Sequence, residues 1–171
     1  MIRSEKKLKN LAEVLNKNNK ILISKAIEFL REEKPFEGAV GLLTSFYDKT
    51  DDYQIRNAIK GFMNDLKDQS ASKEVVNEIR KPWESDTISM LVSSCWQSGL
   101  DYSDYSADLA KVFMGGNYIT AVECFTVIEE SVDKLSRERK EEIIMIIEEN
   151  PHSPVNEKKV LIQELMLILG R

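Results

Sequence analysis

A chain of 171 residues is long enough for one domain with a real hydrophobic core, and 42% apolar against 31% charged residues is an ordinary globular balance. Seven glycines and four prolines are too few turn formers for an all-β fold and favour long helices with short connections. A net charge of −5 argues against a nucleic-acid partner.

The charge is uneven. Residues 1–34 hold nine Lys/Arg and five Asp/Glu, a net of +4, so the remainder carries −9. The opening MIRSEKKLKN leads into no apolar signal region. The most apolar stretch, VLIQELMLILG, is broken by Gln163 and Glu164 well short of a membrane span. A cytoplasmic chain without a membrane segment is expected, forming a single domain over 1–171.

Helical periodicity runs through the whole chain. It predicts helices near 3–17, 20–33, 36–49, 52–67, 72–81, 86–98, 103–114, 118–130, 137–149 and 154–169. The first two form a basic N-terminal pair, with Leu8, Leu11 and Leu15 as the apolar stripe of a helix otherwise rich in Lys and Asn. Helix 52–67 has a core stripe of Ile55, Ile59, Phe62 and Leu66. Helix 86–98 has its stripe at Ile88, Leu91, Val92, Cys95 and Trp96, with Ser85 as N-cap and Gly99 as the left-handed residue that ends it. The stretch SSCWQSGLDYSDY (93–105) therefore reads as a turn between packed helices, with Trp96 in the core, Asp101 or Ser103 capping and Tyr105 closing the seam.

Further along, Asn117 and Ser136 are in place to cap helices, and Pro35, Pro82, Pro151 and Pro154 fall between helices. The apolar run Ile143–Ile147 predicts a helix packed on more than one side. The final helix, apolar at Val160, Leu161, Ile162, Leu165, Met166, Ile168 and Leu169, is expected to be a buried cap or a contact with another copy.

Around 51–62, DDYQIRNAIKGF resembles the second-helix start of a HEAT-type (armadillo-like) repeat, through Asp52, Ile55, Arg56 and Ala58. Before it, FEGAVGLLTSFYD resembles the first helix of the pair. Asp101 before Tyr105, and Asp133 before Arg137, match more loosely, and the segment 72–81 makes the spacing irregular. The resemblance implies an all-α fold: a right-handed stack of about ten helices in antiparallel pairs, a short α-solenoid with end helices as caps. Independently of the family, an Asp at such a turn caps the second helix and can pair with an Arg one turn later.

Enzymatic chemistry finds few of its residues here. The single histidine, His152, lies in the proline-bounded connection NPHSP, and a zinc site needs three or four ligands. Cys95 and Cys124 fall on or beside apolar stripes, where a thiol is reduced, buried and inert. Gly115 and Gly116 read as a helix stop rather than a phosphate loop. The adjacent carboxylates Asp51/Asp52, Glu129/Glu130, Glu141/Glu142 and Glu148/Glu149 diverge by about 100° on a helix and do not converge as pairs. No catalytic residue, metal or cofactor is assigned.

The functional expectation is a non-catalytic scaffold or adaptor whose concave helical face holds a protein or peptide segment. On helix 52–67 the contact candidates are Tyr53, Asn57, Lys60 and Asn64, opposite the core stripe; a second patch is Asp101, Tyr102 and Asp104. Asp52, Arg56, Trp96, Gly99 and Tyr105 are given structural roles. Two alternatives remain. One is a nucleic-acid-processing enzyme resembling the HEAT-like alkylpurine DNA glycosylases, with Trp83, Trp96, Asp101 and Tyr102 at its site. The other is a structural homo-oligomer joined through the C-terminal helix.

Overall fold

The computed structural model describes residues 4–33, 36–150 and 157–170. Among them the chain is all-helical, with no strand: α1 (Glu5–Asn16), α2 (Lys20–Glu32), α3 (Ala39–Lys49), α4 (Tyr53–Asn64), α5 (Ala71–Ile79), α6 (Ser85–Gln97), α7 (Ser106–Gly115), α8 (Tyr118–Ser131), α9 (Arg137–Glu148) and α10 (Lys159–Ile168). Short 3₁₀ turns, Ser103–Tyr105 and Val132–Lys134, lead into α7 and out of α8. The segment around His152, the expected helix start at 154, and Pro35, Pro151 and Pro154 lie outside the described residues. Pro82 falls between α5 and α6.

Several helix starts follow local chemistry. Asn19, Asp52, Asn117 and Ser136 are N-caps whose side chains accept from the backbone N–H of Leu22, Ile55, Thr120 and Arg139. Ser85 does not cap: it is already the first residue of α6, and Glu84 is the N-cap without a side-chain bond. A tertiary contact reaches this helix start, because the Asp48 carboxylate accepts from the Glu84 N–H at 3.1 Å. Similarly, Gly38, the N-cap of α3 with φ +91°, donates its N–H to the Glu74 carboxylate at 2.9 Å.

The chain divides into two compact units, 1–100 and 101–171. In the first, helices pack as consecutive pairs: α1 with α2, α3 with α4, α5 with α6. The first helices of the pairs also lie side by side (α1 on α3, α3 on α5), and so do the second helices (α2 on α4, α4 on α6). In the second unit α7 packs on α8 and α9, and α8 on α10. The N-caps Asn19, Asp52, Glu84 and Asn117 recur at spacings of 33, 32 and 33 residues. Counted by N-caps, the short helix α5 falls within this spacing and packs with α6. The connection after Gly99 links one unit to the next, since the partner of α6 is α5 and the partner of α7 is α8.

The core of the first unit is built from the apolar stripes of its helices, including Ile23, Ile27, Leu43, Ile59, Val75 and Leu91. That of the second unit includes Leu109, Phe113, Ile128, Ile143 and Leu165. Cys95 and Cys124 are buried and not joined in a disulfide. Three helices are covered only in part. On α9, Ile143 and Ile147 are buried, Ile144 and Ile146 are half-buried and Met145 is exposed. On α10, Leu165 and Leu169 are buried while Val160 and Leu167 are exposed. In the first pair, α2 exposes Ile21, Leu22 and Phe29.

One charged side chain goes inside. Lys158, just before α10, is 2% exposed, and its ammonium donates to the carbonyl oxygens of Phe113 (3.0 Å), Met114 (3.1 Å) and Gly116. These carbonyls end α7, where the helix dipole is negative and acceptors are left over. Burial pushes the Lys158 pKa below the ordinary lysine value, and the nearby Cys124 acts in the opposite direction.

Candidate functional site

The expected core stripe of α4 is buried at Ile55, Ile59, Phe62 and Leu66. A stripe on the other side of the helix is therefore left outside: Tyr53, at 76% exposure, with Asn57, Lys60 and the half-buried Asn64. These four stand at i, i+4, i+7 and i+11, one line along the helix. The sequence pattern thus brings them together on a single surface.

This line lies on the middle helix of three, since α2 and α6 pack on either side of α4. Polar bonds tie the three together. Lys20 of α2 pairs with Asp52, the cap of α4. Arg31 of α2 pairs with Asp65 at the other end of α4. Gly61 permits this, because a Cβ there would stand 3.2 Å from the Arg31 guanidinium. On the opposite side, Asn64 donates its side-chain N–H to the Gln97 side-chain oxygen of α6, and Gln97 in turn donates to the Ser93 hydroxyl at 2.8 Å. Asn64 is thus positioned rather than free to swing, while Tyr53 projects from the first turn of α4.

Asp52 caps α4 as expected, accepting from the N–H groups of Gln54 and Ile55. Its pKa is held below the ordinary aspartate value, first by the Lys20 hydrogen bond and next by the Ile55 N–H. Arg56 does not pair with it. The guanidinium lies over the Tyr47 ring, 4.3 Å from its centroid, and reaches Asp86 of α6 at 4.0 Å. Arg56 thus joins α3, α4 and α6, with its charge on an aromatic face. The sequence could not name Tyr47 as the partner, because the contact is set by how α3 and α4 pack.

The second expected patch does not form one surface. Tyr102 is 1% exposed and is a packing residue, so its side chain presents no surface to a partner. Asp104 is exposed, on the 3₁₀ turn before α7. The Asp101 carboxylate accepts from the Ser103 N–H at 3.0 Å and from the Lys134 ammonium at 3.1 Å. The Ser103 N–H bond is the first cause of its lowered pKa, and Lys134 adds to it. Asp101 thus holds the turn, and neither it nor Ser103 caps α7, whose N-cap Tyr105 makes no side-chain capping bond. Tyr105 is half-buried at the end of the turn.

Trp96 departs from its expected place. The buried stripe of α6 runs through Thr87, Met90, Leu91, Ser94 and Cys95, and Trp96 falls at its edge with 37% exposure. Gly99 does take the left-handed conformation, φ +67°, one residue past the C-cap Ser98.

Among the described residues, no group of three or more His, Cys, Asp or Glu side chains is placed to hold a metal ion. Among them, too, no helix is long and apolar enough to cross a membrane. Comparison with protein families, with curated proteins and with solved structures returns no match for this chain.

Proposed function

We propose that this chain is a non-catalytic scaffold: a short, right-handed HEAT-like stack of helix pairs that works in the cytoplasm and holds a protein segment on the face of its second helices. The observation that carries the reading is the line Tyr53, Asn57, Lys60 and Asn64, standing exposed or half-exposed on the middle one of three adjacent second helices. Its chemistry suits a polypeptide. Tyr offers rigid contact area at low entropic cost, and amide and ammonium groups offer hydrogen bonds to a peptide backbone or an acidic side chain. The stacking is supported by the pairing of first helices on first and second on second, and by the recurrence of N-caps at 33, 32 and 33 residues.

Replacing Tyr53, Asn57 and Lys60 together by Ala tests the reading. Their side chains lie outside the core, so the melting curve should stay near the parent's. A protein retained by the parent from cytoplasmic extract should be lost from the triple variant. Equal retention by both would contradict this assignment of the face.

A further inference from the structure

Helix α8 is apolar on both sides. Its inner side is buried through Ala121, Cys124, Val127 and Ile128. Its outer side carries Ile119 at 64% exposure, Tyr118 at 45% and Val122 at 37%. Single exposed apolar residues are ordinary on a protein surface, but a helix that is apolar all round is normally covered all round. Here α7 and α10 pack on α8, and these three side chains stay outside the contact. Tyr118 is the first residue after the N-cap Asn117, as Tyr53 is after Asp52. The line that runs from it at i, i+4, i+7 and i+11 is Tyr118, Val122, the half-buried Phe125 and Glu129. Where α4 presents amide and ammonium groups along this line, α8 presents apolar ones that end on a carboxylate.

The charge on α8 is of one sign. The helix has Glu123, Glu129 and Glu130 and no Lys or Arg. The elements around it are balanced. On α7 Asp108 is offset by Lys111, and in the turn after α8 Asp133 is offset by Lys134. At the start of and along α10, Glu157 and Glu164 are offset by Lys158 and Lys159. The negative surplus therefore belongs to α8 itself. Glu129 and Glu130 are exposed in its last turn, where the helix dipole is already negative and a carboxylate is unfavourable. Neither is in an ion pair among the described residues.

We infer that the outer face of α8 is a docking surface for a basic amphipathic helix of another protein. Tyr118, Ile119 and Val122 take its apolar stripe, and Glu129 and Glu130 take Lys or Arg beside that stripe. The occupant is a helix rather than an extended segment, because α8 spends its backbone N–H and C=O groups internally and offers none to a strand. The negative charge turns away nucleic acid and anionic lipid. This face is in the second unit and the α4 line is in the first, so the inference does not rest on that reading.

Fluorescence anisotropy on the full chain with labelled synthetic peptides tests this. The probe is an amphipathic Leu/Lys helix of about four turns. The controls are the same Leu stripe with Glu in place of Lys, and a scrambled Leu/Lys sequence. The parent should bind the Leu/Lys helix, more weakly as salt is raised, and neither control. Ile119→Ser/Val122→Ser should weaken binding about tenfold or more. Glu129→Lys/Glu130→Lys should lose the Leu/Lys helix and bind the Leu/Glu one. All four sites are exposed, and circular dichroism checks that each variant keeps its helices. Tyr53→Ala/Asn57→Ala/Lys60→Ala should bind the probe as the parent does, which separates this face from the one on α4. A parent that ignores the Leu/Lys helix overturns the proposal, and so does equal binding by Ile119→Ser/Val122→Ser or of the scrambled peptide. So would a parent that dimerises at the assay concentration while Ile119→Ser/Val122→Ser does not, since a second copy would then be what covers the face.

Discussion

The ammonium of Lys158 lies 3.0 Å from the carbonyl oxygen of Phe113, inside the second unit and shielded from solvent. It is one of three bonds by which the residue before α10 closes the C-terminus of α7. The chain thereby pins its last helix with a charged group rather than with an apolar one. Replacing Lys158 by Met keeps the stem and leaves three buried carbonyls without their donor. Hydrogen bonds to charged groups contribute about 1.5–3 kcal/mol. Lys158→Met should lower stability by about that amount in a urea titration, and amide exchange should rise first in α10. A variant as stable as the parent would show that the cage contributes nothing net.

Arg56 gives a second prediction through its choice of partner. Cation–π contacts of this kind are worth about 0.5–1 kcal/mol at exposed sites. A double-mutant cycle between Arg56→Ala and Tyr47→Leu should return a coupling of that size. The same cycle between Arg56→Ala and Asp52→Ala should return a value near zero, because the two side chains bond elsewhere. Strong coupling to Asp52 and none to Tyr47 would restore the local pair that the sequence suggests.

The stretch 93–105 separates packing from conformation. A core indole replaced by Ala costs about 3–5 kcal/mol. At 37% exposure, Trp96→Ala should cost clearly less. Gly99→Ala meets open space, so its penalty is conformational, about 1 kcal/mol for a side chain held at φ +67°. Denaturant melts of the two variants check both, and a Trp96→Ala loss in the full core range would place the indole inside.

Two carboxylates make stability depend on pH in acid. Asp52 and Asp101 both have pKa values held below the ordinary 3.8. A folded-state pKa lower than the unfolded one means that the unfolded chain binds protons first as pH falls. The stabilisation is therefore complete above 3.8 and lost as pH drops through the folded-state values. Asn at either position keeps an accepting oxygen and removes the charge. Asp52→Asn and Asp101→Asn should melt below the parent at neutral pH, and the gap should close in acid. A gap that is constant with pH would assign the effect to hydrogen-bond geometry alone.

Much of the helical layout was legible because its signals are local. Asp52, Asn117 and Ser136 cap the helices they precede, and Gly99 ends the one it follows, since these bonds span only a few residues. Tertiary choices were not legible. Asp48 reaches the start of α6 from 36 positions away, so Ser85 was not needed as a cap. Tyr102, flanked by acidic residues, reads as a surface phenol and is buried, because burial is decided by tertiary packing and not by its neighbours in sequence. Lys158 stands beside Lys159 in a polar connection and reads as solvated; nothing in its neighbours marks the carbonyls of α7 as its partner. The line Tyr53, Asn57, Lys60 and Asn64 was readable because it is the complement of a strong apolar stripe. Its tie to Gln97 was not, because that depends on α6 packing beside α4.

The central claim is that the second-helix face around α4 is where a protein segment binds. A photo-crosslinking residue placed at position 53, compared with the same residue at the exposed Lys73 of the first helix α5, tests it most directly in cytoplasmic extract. The account predicts a discrete adduct from position 53, none from position 73, and loss of the adduct when Asn57 and Lys60 are also replaced by Ala. No adduct at position 53, or equal adducts at both positions, would contradict it.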